Sequence, residues 1–524
     1  MVIEEKLLSV LTLVISCIAA GQTGSLLVVP MDGSHWTGVK SLAEEMGQRG
    51  HDVVVVIPEV SMSLGPSKHC TTKVYPVPYR HDLVDIIARN NRWIMGNETF
   101  FQKTIMLMNA VYNYSNYMKV TTESLLYNEE IMSYLKEKQF DALLTDPAWP
   151  IGTILAEHLD IPSIYMLRGM PCSLDSEATA CPAPPSFVPR FLTRYSDHMT
   201  FPQRIVNMLV SLVEPIMCQI LYGTFEELAT RFFQRDVTVL DLLKRGSLWL
   251  IRIDYTLETP KPFMPNMVMI GGINCVVRNI LPQEVETFVN GSGEHGFVVF
   301  TLGSMVSQMP EEKAQQFLEA FRQIPQRVLW RYTGPIPANL PHNVKLMKWL
   351  PQNDLLGHPK ARAFITHGGN HGVYEGICNG VPLVMLPLFG DQGDNAQRMV
   401  ARGVGEVLSI QEVTSGQIVW ALNKVINDTS YKEKMLKLSA IHKDRPIEPL
   451  DLAVHWTEFV MRHKGAEHLR PAAHNLNWFQ YHSLDVIGLL LTVAVTVIVV
   501  TVKSCTFCFR KCCRRKSQKK KKNE

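Results

Sequence analysis

Between Trp349 and Gln392 the chain sets out, in order, a Trp, a Gln, a Thr-His-Gly-Gly-Asn turn, a Glu and an Asp-Gln pair. Trp349 offers a flat face to a base, and Gln352 can hydrogen-bond a base or a ribose. Gly368 and Gly369 let backbone approach a ligand closely. They stand just before a helix start, whose free amides and positive dipole end suit a diphosphate. His367 can donate to a phosphate oxygen, and Asn370 has the chemistry of a helix cap. Glu375, about a turn further on, can accept from two vicinal ribose hydroxyls. Asp391 and Gln392 can bind sugar hydroxyls, and Ser304, after Gly303, can add a phosphate contact. Singly, each residue has an ordinary use in packing, a turn or a solvated loop. Together, after successive strands, they describe a site for a sugar carried on a nucleoside diphosphate.

A different chemistry is available in the first half. His35 lies in MDGSHW, in the loop after the first strand. Unperturbed imidazole titrates near ~6.5, so a neutral ring is at hand to take a proton at neutral pH. Asp146 lies in LLTDPAW, after another strand. A carboxylate there can hold the second ring nitrogen, fix its tautomer and stabilise the imidazolium that forms. The chain holds 17 His, so on residues alone this pairing is one of many.

The elements that must place these groups alternate. Strand patterns at Ser25–Pro30 and His51–Ile57 flank a helix pattern at Val39–Arg49, a βαβ unit with a buried parallel sheet. Lys73–Val77, Ala142–Thr145 and Ser163–Leu167 are further strand candidates. The polar and aromatic stretch from Arg80 to Tyr134 reads as helical and lacks clear periodicity, which suits an insertion that shapes a substrate pocket. After the stiff PKPFMP connector (Pro260–Pro265) the alternation restarts. Its strands are Gly296–Leu302, Arg327–Tyr332, Ala363–Thr366, Leu383–Leu386 and Gly405–Leu408. Two doubly wound α/β domains facing a cleft are expected, with ligands at the carboxyl ends of the strands. The boundaries read as 22–275 and 276–440, followed by helices over 441–485.

At 524 residues the chain is long enough for two cores, and 46% apolar with 19% charged residues suits a globular body with a small membrane portion. The net charge of +3 is uneven: ten basic residues and one acid fall in 503–524. The rest is weakly acidic and gives no basis for a nucleic-acid partner. Residues 1–21 read as a secretory signal despite Glu4 and Glu5. The uncharged run 486–502 reads as one transmembrane helix, and the basic tail after it places the body in a lumen. Lys521 and Lys522 resemble a dilysine retrieval signal. Asn97, Asn113, Asn290 and Asn427 open glycan sequons. An oxidising lumen permits disulfides among Cys70, Cys172, Cys181, Cys218, Cys275 and Cys378. Cys172 and Cys181, bracketing a short acidic loop, are the best pair, though free thiols remain open. None of these six has metal-ligand spacing. Cys505, Cys508, Cys512 and Cys513 suit palmitoylation better than zinc.

Trp349–Gln392 resembles the 44-residue donor signature of UDP-dependent glycosyltransferases. Together with GFVVFTLGSMV, VLWRYTG, KWLPQNDLLGHP, HKDRPIEPLDLAVHWTEFVMRHKGAEHLRPAAHNLNW and YHSLDVIG, it is most similar to the vertebrate UDP-glucuronosyltransferases of the bilirubin- and phenol-conjugating type. The resemblance implies a two-domain, B-type glycosyltransferase fold with one membrane span, no metal and no cofactor, UDP-glucuronate being a co-substrate. It implies that Trp349 stacks uracil and that Gln352 and Glu375 hold the ribose. Ser304, His367, Gly369 and Asn370 would bind the diphosphate, and Asp391 and Gln392 would read the sugar. Arg252, in LWLIRIDY, would meet the glucuronate carboxylate, for which an arginine fork is suited; a surface salt bridge is nearly as good a reading. His35 would be the base and Asp146 its partner. The implied partners are a UDP-sugar, a small lipophilic acceptor and the endoplasmic reticulum membrane, crossed once with the body in the lumen. Homo- or hetero-oligomers are compatible with the sequence. The alternatives are a UDP-glucose or UDP-galactose transferase acting on lipids, a membrane receptor built on a dead enzyme fold, and an unanchored secreted protein.

Overall fold

The computed structural model describes residues 23–80, 95, 100–275, 279–304, 306 and 308–520. The signal reading, Asn97, Lys521 and Lys522 lie outside them. Seven parallel strands form the first sheet: β1 (Ser25–Val29), β2 (Asp52–Pro58), β3 (Thr71–Tyr75), β4 (Ala142–Thr145), β5 (Ser163–Leu167), β6 (Leu248–Ile251) and β7 (Met267–Met269). Their order is β3-β2-β1-β4-β5-β6-β7. Six parallel strands form the second: β8 (Phe297–Thr301), β9 (Arg327–Arg331), β10 (Val344–Met347), β11 (Ala361–Thr366), β12 (Leu383–Met385) and β13 (Gly405–Val407). Their order is β10-β9-β8-β11-β12-β13. Runs such as LLVV in β1 and FVVFT in β8 are buried on both faces, as sheets covered by helices on both sides require. Each such side chain stabilises the fold by roughly 1.5–3 kcal/mol.

Seven helices matter to the site and its setting: α1 (Ser34–Gln48), α2 (Phe100–Leu126), α3 (Phe201–Phe233), α4 (Asn370–Asn379), α5 (Gln392–Ala401), α6 (Pro449–His463) and α7 (Leu484–Lys520). In each sheet the strand order reverses once. The reversal falls between β1 and β4, where Val29 pairs with Thr145, and between β8 and β11, where Thr301 pairs with Thr366. Chains leaving neighbouring strands there turn opposite ways and leave a crevice at the carboxyl edge.

Several elements differ from the sequence reading. β6, β7 and β10 were not among the strand candidates. β7 follows PKPFMP, so the first sheet continues beyond that connector. The 33-residue helix α3 also escaped notice. α6 turns back onto the first half, where Ala453, Val454, Val460 and Met461 join the core around α1. The disulfide is Cys275–Cys378, not Cys172–Cys181. Cys181 Sγ lies 3.3 Å from the Pro262 carbonyl, and Cys172 meets Cys218. Closeness in sequence does not align Cβ vectors. Asn113, Asn290 and Asn427 are exposed.

The chain divides into two units, residues 1–469 and 470–524. In the second, Leu484–Cys512 is long and apolar enough to cross a membrane.

Candidate active site

His35 is the second residue of α1, and Asp146 directly follows β4, so both stand at the first switch point. Asp32, just upstream, accepts from the amides of Gly33, Met62 and Ser63, which pins the β1–α1 loop to a neighbouring segment. The Nδ1 atom of His35 lies 2.6 Å from Asp146 Oδ2. The Asp146 side chain is fully buried, whereas that of His35 is 33% exposed. Burial alone would raise the Asp146 carboxyl pKa, but His35 and then Arg252 hold it below the ordinary value. An ionised carboxylate only accepts, so Nδ1 of His35 carries a proton, and in the neutral ring Nε2 keeps the lone pair.

Arg252 follows β6 and is buried. Its Nη2 lies 3.9 Å from Asp146 Oδ2, and Nη1 donates to His371 Nε2 at 2.6 Å. Desolvation lowers the pKa of this guanidinium, against the pull of Asp146 and Asp391. His371 is held neutral by burial and by Arg252. The fork is therefore turned to the dyad and to α4, and it is no surface ion pair.

The second switch point carries the donor set. Gly369 is the N-cap of α4, and Asn370 is the first helical residue, a correction to its reading as the cap. Asn370 Nδ2 donates to the Arg252 carbonyl at 2.9 Å, which ties the start of α4 to the first half. Among the described residues its Oδ1 and the Nδ1 of His367 are buried without partners. A Cβ on Gly303 or Gly369 would come within 2.6 or 2.4 Å of the His367 ring, so both must be glycine for the ring to lie there. Burial lowers the His367 pKa to about 4, leaving it a neutral donor. Gln352 hydrogen-bonds Glu375, so the expected ribose pair is already joined. Trp349 is 68% exposed, a face open to a base. Ser304 is exposed in the loop after β8. Asp391 precedes α5. Gln392 is buried, and its Oε1 accepts from the amides of Leu388 and Phe389, which shapes the loop after β12.

One residue was missed. Arg331 ends β9, donates to the carbonyls of Gly303 and Ser304, and lies 5.3 Å over the Trp349 ring. Among the described residues no carboxylate pairs with it, and burial lowers its pKa. A half-buried cation without a counter-ion beside the phosphate loop is suited to an anion. The signal available was an arginine at the carboxyl end of a strand, in VLWRYTG. Among the described residues, Cys275, Cys378 and His442 come close enough together to hold an ion, but the two sulfurs are joined.

Two parallel α/β halves with one site at each switch point define a two-domain glycosyltransferase of the B type. Solved structures agree on the fold: the glycotransferase of kitacinnamycin matches at a TM-score of 0.56 and 18% identity, over 86% of this chain and 100% of its own. The profile described as "UDP-glucoronosyl and UDP-glucosyl transferase" matches residues 24–521. UDP-glucuronosyltransferase 1A6 of Homo sapiens is 54% identical over 95% of this chain and 93% of its own length. UDP-glucuronosyltransferase 1A1 of Homo sapiens is 52% identical over 95% and 94%. The chain belongs to this family of UDP-sugar transferases.

Proposed function

We propose that this chain transfers glucuronic acid from UDP-glucuronate to hydroxyls of small lipophilic acceptors, giving β-glucuronides and UDP. The observation that carries the mechanism is the 2.6 Å His35–Asp146 pair, linked through Arg252 to the start of α4. His35 Nε2 takes the proton of the acceptor hydroxyl. The oxygen attacks the anomeric carbon, the bond to UDP breaks, and configuration inverts from α to β. Asp146 stabilises the imidazolium, and the proton is released with product. The leaving diphosphate gains charge against the amides of α4, His367 and Arg331, so the protein itself supplies the electrostatic stabilisation. No covalent intermediate, resident metal or cofactor enters this scheme. Trp349 holds uracil, Gln352 and Glu375 the ribose, and Asp391 the sugar.

The acceptor side is supported by a cavity of about 480 Å³ lined by Cys172, Leu174, Arg190, Glu214 and Tyr222. Tyr222 donates to the carbonyl of Ala148, two residues beyond Asp146. Over it runs α3, with Leu209, Leu212, Ile216 and Ile220 exposed along one face. Such a face suits contact with lipid, from which lipophilic acceptors could be drawn. We place the body in the lumen of the endoplasmic reticulum, anchored once through α7 with the basic tail in the cytosol.

The test is product mass. Membranes carrying the chain, given a panel of phenols, bilirubin and steroids, should add a glucuronyl group from UDP-glucuronate. Addition of a hexosyl group from UDP-glucose in its place would overturn the donor assignment. Protection of the body from protease until the vesicles are opened checks the topology.

A further inference from the structure

Arg168 directly follows β5 of the first sheet, yet its guanidinium ends in the second half. Its Nη2 donates to Asn395 Oδ1 at 2.8 Å, and its Nε lies 2.9 Å from Asp391 Oδ2. Asn395 donates to the same Asp391 oxygen at 2.8 Å and to the Gly368 carbonyl at 3.0 Å. One oxygen of Asp391 is thus occupied from two sides, and the other is left for a ligand. Behind Arg168 lies Glu258, 3.4 Å away, which also meets Arg398 Nε at 2.7 Å. Asp394 accepts the amides of Leu192 and Arg194 at 3.0 and 2.7 Å. Asp391, the N-cap of α5, and Asp394, Asn395 and Arg398 within it are spaced to share one face. The first half therefore grips the helix whose capping residue meets the sugar.

This grip has a consequence for charge. Asp391 is an anion at the sugar subsite, and a neutral hexose is indifferent to that. A uronosyl group brings a second carboxylate, which an unpaired Asp391 would repel. Arg168 is 16% exposed at its side chain and sits among Glu258, Asp391 and Asp394, which keep it charged despite burial. We propose that Arg168 is a specificity-determining positioning residue, which fixes Asp391 and cancels its charge so that the sugar subsite takes an anionic sugar. The sugar subsite is then complete only when the two halves are closed on each other. This rests on the reading that Asp391 faces the donor sugar.

The test compares inhibition constants of UDP, UDP-glucose and UDP-glucuronate on the full-length chain in membranes. Arg168→Gln should weaken UDP-glucuronate by ~10- to 100-fold, the scale of an uncancelled charge a few ångströms away in a site of intermediate dielectric. UDP-glucose should weaken by no more than about 3-fold and UDP not at all, since neither brings a carboxylate. Equal weakening of both sugars, or no weakening, overturns the proposal. Should Arg168→Gln fail to fold, Arg168→Lys decides: it keeps the charge without the fork, so it must keep the preference for UDP-glucuronate, and a folded variant without that preference overturns the proposal. Asp391→Asn separates the two levels. If it alters neither UDP-sugar relative to UDP, the placement of Asp391 falls; if it does and Arg168→Gln has no effect, only the role of Arg168 falls.

Discussion

The carboxyl edges of the two sheets do their work by different means. The first brings together two side chains 111 residues apart, a partly exposed imidazole and a fully buried carboxylate. The chemistry proposed for it is a proton transfer, which needs a charge held in place. The second uses a helix start, glycines, an exposed indole and neutral or unpaired groups. His367 is kept neutral by burial, and Arg331 has no counter-ion among the described residues. A site that recognises an anion keeps its own anions few, and in the proposed function the incoming phosphates supply the missing charge. The first edge should govern turnover, and the second should govern affinity for UDP.

The largest effect is expected at the first edge. His35→Ala should lower turnover of phenols by ~10²–10⁴-fold, the range for loss of a general base, while the inhibition constant for UDP stays unchanged. Parallel loss of UDP affinity would erase the division between the edges. Asp146→Asn should cost a similar or smaller factor, because an amide no longer fixes the Nδ1–H tautomer. A pH–rate profile identical to that of the parent would deny it that role. At the second edge Trp349→Ala should raise the donor KM by ~10- to 100-fold, from about 1–3 kcal/mol of lost stacking, and leave kcat near its value. A fall in kcat alone would place the indole elsewhere than under the base.

The two edges were also unequally legible. Most of the donor set lies between Trp349 and Gln392, so its order along the chain announces its order along a sheet edge; Ser304 follows β8 and Arg331 ends β9, and Arg331 was passed over. The acceptor pair is not contiguous. Nothing local in GSHW or TDP says that the two meet; that follows from β1 and β4 being neighbours, which the strand order decides. Arg252 was read, from the resemblance, as the group that meets the glucuronate carboxylate; its burial among Asp146, His371 and Asn370 is a tertiary fact that no motif announces. The grip of Arg168 on α5 joins segments 227 residues apart and left no trace in any motif. Cys275 and Cys378 are likewise 103 residues apart. β7, directly after a proline-rich connector, was not read as a strand, although β12 and β13 of the same length were.

The smallest expected effect is a pH dependence at the second edge. Burial raises the Glu375 carboxyl pKa to about 7, the hydrogen bond from Gln352 opposing it and Asp354 adding to it. In the unfolded chain the same group ionises in the ordinary carboxylate range. A raised acid contributes stability that is fully present below its unfolded pKa and is lost as pH rises through about 7. Donor binding runs the other way. Two ribose hydroxyls donate best to the ionised carboxylate, so ribose contact favours deprotonation. The KM for UDP-glucuronate should therefore fall as pH rises from about 6 to about 8, by at most ~10-fold, with the midpoint near the carboxyl pKa. Glu375→Gln should flatten that profile and leave the slope of kcat with pH as it was, since the proton taken by His35 is a separate event. A variant with the parental slope in KM would mean that the ribose is held by Gln352 alone, and that the donor edge contains no titrating group.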